Sequence, residues 1–314
     1  MPRASCAKSW PSCLCTHRTE PQKDALLATG FWLGPSLWQD PPILSSAKVT
    51  LAWCSLLLVL LSVGAGCSSK KKGALAPLDA PAWRIELPVE GFGAASVALP
   101  LGATTPRPIA VVLHGTADRP DWQCGSFRGV LGGKTFIVCP RGSASAVPGR
   151  FDPGSVDDSA AELRAALAAL KARFGAHVAP SPILLIGYAE GARVAAELAR
   201  QEPKFFARVA LVNGEPSAFT PSAGSIFAQR GGKRVLFFCT NAGCDDSGVS
   251  RALLLARAKV PAKSVRHDVG PYLDPPFTAA LSRELPWLLE DDSRFAGRAA
   301  ASAQAPRPDP SAAR

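Results

Sequence analysis

The sequence predicts an α/β fold, a mainly parallel sheet of about eight strands flanked by helices, with no large cap domain. Two observations carry this. Short apolar, β-branched runs alternate with longer helical patterns between residues 83 and 292, and parallel strands joined through helices need crossovers that cover both sheet faces. The composition agrees: 314 residues with 47% hydrophobic and 19% charged side chains suit one medium domain with terminal extensions and exclude a disordered or collagenous chain.

Taken in order, TrpArgIleGluLeu at 83–87 reads as an edge strand, followed by strands over 94–99, 109–113, 135–139, 183–186, 208–212, 234–239 and 263–269. Helical patterns cover 156–174, 189–201, 247–259 and 276–289. The first of these places Leu163, Leu167, Leu170 and Phe174 on one stripe, and Asp157 and Asp158 favour its N-terminal turn. In such sheets ligands bind beyond the carboxyl ends of the strands, so the loops after 109–113, 135–139, 183–186, 234–239 and 263–269 are the ones expected to carry function.

Upstream of the domain, residues 49–66 read VTLAWCSLLLVLLSVGAG, an uncharged stretch ending in small residues, followed by Cys67, Ser68, Ser69 and three lysines. The segment 47–67 resembles a bacterial lipoprotein signal with a lipobox-like end, in which Cys67 is lipidated; Gly64 departs from the aliphatic residue usual there. An uncleaved transmembrane anchor is the competing reading, since ~18 apolar residues sit at the short end of what spans a bilayer. Residues 1–46 carry no periodic pattern and read as a mis-assigned start or a disordered leader. Residues 68–82 are expected to be a tether and 293–314 a disordered tail, leaving 83–292 as the domain. The chain carries a net charge of +10, which excludes a strongly acidic binding surface.

The segment Gly187, Tyr188, Ala189, Glu190, Gly191 lies between a strand and a helix. It resembles the nucleophile elbow of the α/β-hydrolase family, G-x-S-x-G, with Ala189 where the serine stands. The run Val112, Leu113, His114, Gly115 is similar to the family's His-Gly turn, and Val138, Cys139, Pro140, Arg141, Gly142 to its next strand end. The resemblance covers roughly 83–292. It implies an oxyanion hole formed by backbone N–H groups of Thr116 or Ala117, beside His114 and Gly115, together with that of Glu190. It implies a catalytic histidine at Pro271 and an acid at Asp245 or Asp246, so the triad is degenerate. Alanine has no nucleophilic atom and proline cannot accept a proton. His267, the nearby substitute, lies about 13 Å upstream along an extended chain. The two aspartates read equally as turn or capping residues before a helix starting near Ser247.

Cys124 with Cys139, and Cys239 with Cys244, are spaced so that both pairs can close as disulfides, with free buried thiols as the alternative. No zinc-ligand spacing, phosphate-binding loop or basic-aromatic run is present in the sequence, so no metal, no cofactor and no nucleic-acid partner are expected. The expected function is a catalytically inactive α/β-hydrolase-like lipoprotein of the bacterial cell envelope, held to the membrane through a lipid on Cys67 and binding a small-molecule, glycan or protein ligand. Two alternatives stand beside it. One is an atypical ester hydrolase using Ser143, Ser145 or Ser155; the other is a structural lipoprotein with bulky side chains filling the space above Ala189.

Overall fold

The computed structural model describes residues 74–215 and 217–298. Eight strands form one sheet: β1 Arg84–Leu87, β2 Ala95–Ala98, β3 Ile109–Leu113, β4 Phe136–Cys139, β5 Leu184–Tyr188, β6 Arg208–Val212, β7 Arg234–Cys239 and β8 Ala262–Arg266. Their order is β1-β2-β4-β3-β5-β6-β7-β8; β1 and β2 are antiparallel to their neighbours and the other pairs are parallel. The expected fold class is therefore the one found.

The sheet's two faces follow from period-two alternation. Val97, Val111, Val138, Leu185, Val209, Val235 and Phe237 face one core; Ala98, Val112, Ile137, Ile186, Val212, Leu236 and Phe238 face the other. Helices α2 Val156–Phe174, α3 Glu190–Gln201, α4 Pro221–Gln229 and α5 Ala242–Arg257 cover the first face. Helices α1 Pro120–Leu131 and α6 Pro275–Leu289 cover the second and touch each other. Right-handed crossovers explain the split: the chain leaves β3 for β4 in one direction and returns past it to β5 in the other, so α1 and α2 must lie on opposite faces. The carboxyl end of β3 is consequently the point where connections diverge, the place at which open α/β sheets generally bind ligands.

Two helices fall outside the sequence reading. Helix α1 has Pro120 in its first turn, which fits a helix start, but Gly125 and Gly129 dilute its stripe of Cys124, Phe127 and Leu131. Helix α4 has only nine residues and is announced only by Thr220, whose side chain accepts from Ala223 N, and by Pro221. Helix α5 begins earlier than the expected Ser247, at Ala242, because the Asn241 side chain accepts from Cys244 N at 2.9 Å. The last strand ends earlier too, at Arg266.

The packed unit also outruns the expected limits of 83–292. Leu78 is buried, and Leu75 N and Leu78 N donate to Thr104 O and Ala103 O, so part of the expected tether is laid against the β2–β3 loop. At the other end Phe295 is buried beneath α6, and Arg294 donates to the carbonyls of Pro180 and Pro182. An apolar ring and a multiply bonded guanidinium hold what composition marks as tail. Residues 1–46, the signal segment with Cys67, 68–73 and 299–314 lie outside the described residues.

Both expected cysteine pairs stand at disulfide distance, with Cα–Cα separations of 6.0 Å for Cys124–Cys139 and 5.6 Å for Cys239–Cys244. The first ties α1 to β4; the second ties the end of β7 to the first turn of α5. The short loop closed by the second limits its entropic contribution, so Cys244→Ala is expected to cost about 2 kcal/mol, read from urea unfolding of the oxidised protein.

Among the described residues the longest connection without an α-helix is 140–155, between β4 and α2, and no cap domain is inserted. It carries a two-stranded hairpin, Ser143–Ala144 with Phe151–Asp152. The hairpin lies against the β3–α1 loop, where Asp118 and Phe151 exchange both backbone hydrogen bonds.

Candidate functional site

The elbow is built from three glycines and one strained alanine. Ala189 holds φ 51° and ψ −119°, a left-handed conformation that costs a non-glycine residue about 1–3 kcal/mol. Its N–H donates to Val212 O and its carbonyl accepts from Ala192 N, so strand β6 and helix α3 clamp it from both sides. A Cβ on Gly187 would lie 2.7 Å from Ala192 N, and one on Gly191 would strike the carbonyl oxygens of Leu113 and His114. Gly214, in the turn after β6, is held as closely against Ala192 Cβ and Ala189 O. The turn is thus built at the full steric density that a nucleophile elbow needs, around a side chain with nothing to react.

The Ala189 methyl faces Gly115, where an added Cβ would lie 3.2 Å from it. Ala189 remains partly exposed, so bulky side chains do not fill the space above it. Beside it the His-Gly turn is locked. Both ring nitrogens of buried His114 meet carbonyl oxygens, Nδ1 that of Gly115 at 2.8 Å and Nε2 that of Arg141 at 2.9 Å. Thr116 is exposed. Ala117 has φ 50°, and its N–H, the alternative to that of Thr116 as an expected oxyanion donor, already donates to Asp152 Oδ1 at 2.7 Å. A carboxylate from the hairpin therefore already holds this N–H, while no side chain accepts from that of Thr116 among the described residues. The N–H of Glu190 opens α3, where first-turn amides have no intrahelical acceptor; its carboxylate is turned away to Arg193 Nε at 2.6 Å.

The position expected for the histidine also comes to the elbow. The Tyr188 hydroxyl donates to the Pro271 carbonyl, which brings the β8–α6 loop over the residue next to Ala189. Burial, and then the nearby Asp118 and Tyr272, push the Tyr188 phenol up to about 12, so it stays a donor across the physiological range. Pro271 thus meets the elbow through its carbonyl, which accepts from the residue preceding Ala189.

The other candidates are engaged elsewhere. Asp245 and Asp246 lie inside the first turns of α5, and Asp245 Oδ1 accepts from Ser264 Oγ on β8 at 2.7 Å. His267 stacks on Phe238 with ring centroids 5.2 Å apart, and its Nε2 lies 3.0 Å from Glu284 Oε1 on α6. Burial works against the Glu284 charge, yet hydrogen bonds from Lys263 and His267 hold it below the usual carboxylate range. His267 is a packing residue in this arrangement. Of the three serines weighed as substitute nucleophiles, Ser155 caps α2 and donates to Asp158 Oδ2 at 2.6 Å, and Ser143 and Ser145 stand on or beside the hairpin. None sits on a strained turn.

Sequence reasoning missed Glu162 and Asp152. Glu162, on α2, is 3% exposed, and its carboxylate accepts from Arg141 N and Gly142 N at 2.7–3.1 Å. It anchors the turn whose Arg141 carbonyl meets His114. A charged residue interrupting the apolar stripe of α2 is the signal that could have found it.

Beside this turn a cleft of about 670 Å³ opens between the β1–β2 edge and the hairpin; Ala189 and Pro271 do not line it. Among the described residues no cluster of three or more histidine, cysteine or carboxylate side chains could hold a metal ion, and no helix is long and apolar enough to cross a membrane.

No family model and no curated relative matches the chain. Solved structures do. It is similar to TT1662 from Thermus thermophilus, at 16% identity and a TM-score of 0.46 over 66% of this chain and 98% of that one. It is similar to Est1E from Butyrivibrio proteoclasticus, at 11% identity and a TM-score of 0.47 over 66% and 99%. A carboxylesterase from Mesorhizobium loti matches at 18% identity and a TM-score of 0.46 over 65% and 99%.

Proposed function

We propose that this α/β-hydrolase-like protein does not acylate and serves as a binding protein of the bacterial cell envelope, anchored through a lipid on Cys67. One observation carries the reading: the elbow's strained backbone is retained around Ala189, a residue with no atom that can attack a carbonyl. The surroundings support it. Pro271 supplies no base beside Tyr188, and the Asp152 carboxylate takes the N–H of Ala117, one of the two alternatives for an oxyanion donor with Thr116. Two cysteine pairs at disulfide distance fit an oxidising compartment, as export requires. A purely structural role is less favoured because Ala189 is partly exposed rather than covered.

Hydrolysis of p-nitrophenyl acyl esters tests this. The wild-type protein is expected to show no turnover and no labelling by a fluorophosphonate probe, and turnover that survives repurification would overturn the reading. Ala189→Ser alone is expected to remain inactive, and Ala189→Ser with Pro271→His to stay feeble. Adding Asp152→Ala to that pair frees the Ala117 N–H and is expected to raise the rate further, since one oxyanion donor is worth about 10²–10³ in kcat. Cys67 lipidation is tested by metabolic labelling with an alkyne fatty acid, with Cys67→Ala as the negative control.

A further inference from the structure

We propose that the cleft between the β1–β2 edge and the 140–155 hairpin binds a small organic ligand carrying a carboxylate or phosphate group, held by Arg141 and Arg150. This goes beyond the proposed function, because it stands whether or not the elbow performs chemistry.

Four arginines and two carboxylates line the cleft. Arg84 is satisfied by Glu86 at 2.9 Å, and Arg119 is held by Asp121 through two bonds of 3.2 and 2.7 Å. That leaves Arg141 and Arg150 outside any side-chain ion pair among the described residues, both of them only partly exposed, with Glu162 acting on the Arg141 guanidinium through its charge alone. A guanidinium is always charged, and its planar fork matches a carboxylate or phosphate edge. The cleft lining therefore carries four guanidiniums against two carboxylates, with the Glu162 charge behind it offsetting part of the field at Arg141, and concave walls focus the remainder on an incoming anion.

Both guanidiniums are also positioned in advance. Arg141 lies 4.7 Å over the Phe151 ring, and its stem crosses Gly93, where any Cβ would collide with Arg141 Cδ. Arg150 sits 5.4 Å from the Trp122 ring, and its Nη1 reaches the Ala117 carbonyl only at 3.5 Å, too long to satisfy it. Stacking on aromatic faces orients each group without consuming its donors in strong bonds. The apolar wall of Ala94, Pro120, Pro148 and Phe151 accommodates the ligand's uncharged body, and about 670 Å³ is a volume within the range of small-molecule sites.

Isothermal titration of the full chain with sodium pyrophosphate, and separately with citrate, in 150 mM sodium chloride tests the site. Saturable binding of either anion is expected. Arg141→Gln with Arg150→Gln should weaken it at least about tenfold, the equivalent of one lost charge-assisted hydrogen bond. Gly93→Ala removes no charge but displaces Arg141, so it should weaken binding as well, and it keeps the test decisive if the double variant fails to fold. Arg200→Gln, whose side chain pairs with Glu197 on α3, should bind as wild type. Tighter binding of pyrophosphate assigns the ligand's acidic group as a phosphate, and tighter binding of citrate as a carboxylate. The proposal is overturned if neither anion saturates, or if the folded arginine double variant and Gly93→Ala both bind like wild type. Ester hydrolysis is not read in these titrations, so failure here leaves the non-acylating reading standing.

Discussion

Gly191→Ala is expected to destabilise the domain by more than about 3 kcal/mol, or roughly 6–12 °C in Tm, because the new methyl has no room to move into. Its Cβ would fall against the carbonyl oxygens of Leu113 and His114, which belong to a buried strand end and to the turn that His114 locks. Relief would have to come from moving α3 away from β3, and that separates Ala192, Val194 and Ala195 from the core they fill. Gly129→Ala is the matched control. It adds the same methyl at an exposed position of α1 with nothing within 4 Å, and should stabilise by about 0.5–1 kcal/mol through helix propensity. Thermal unfolding of both variants checks the pair; similar Tm values would mean that the elbow is looser than its geometry implies.

Glu162→Ala is expected to cost about 2–6 kcal/mol, since it orphans two part-buried backbone donors, each worth about 1–3 kcal/mol when left unsatisfied. Those donors, Arg141 N and Gly142 N, fix the turn that meets His114 on one side and the hairpin on the other; a Cβ on Gly142 would strike Asp152 O. The carboxyl group itself is not at ease. Burial raises its pKa above the ordinary value of 4.5, and the two N–H bonds only partly oppose this. With the folded pKa above the unfolded one, the group's contribution is full below about pH 4.5 and is lost as pH rises through the folded value. The cost of Glu162→Gln, which cannot ionise, should therefore be largest in acid and shrink towards neutral pH. Urea unfolding of wild type and variant at pH 4 and pH 7 reads the sign directly, and a cost that grows with pH would contradict it.

Much of the architecture was legible because it is encoded over short windows. The alternation of Val209, Ala210, Leu211 and Val212 marks a strand buried on both faces whatever surrounds it, and the stripe of Leu163, Leu167 and Leu170 marks α2 within three turns. Both cysteine pairs were legible from spacing alone. Helix α1 was not, since two glycines hide a stripe that pays off only against α6 and β4. The ends of the domain were misplaced for the opposite reason: Ala- and Pro-rich composition describes 74–82 correctly, yet single apolar side chains, Leu78 and Phe295, find places in cores assembled by distant strands.

For the candidate site the division is sharper. The spacing of Gly187, Ala189 and Gly191 determined the strand-turn-helix and placed an alanine at its centre, because steric demands across five consecutive residues leave a local trace. Only tertiary structure decided what surrounds that turn. Asp152 reaches Ala117 N–H from 35 residues away, His267 turns to Phe238 and Glu284, and Arg141 and Arg150 come together beside a sheet edge formed from residues some fifty positions earlier. Each of these is a meeting of polar groups whose partners are chosen by sheet order and crossover direction. Such partnerships leave no period in the chain, which is why Ala189 on its strand-turn-helix could be read from sequence while the Asp152 contact to Ala117 and the arginines outside any ion pair could not.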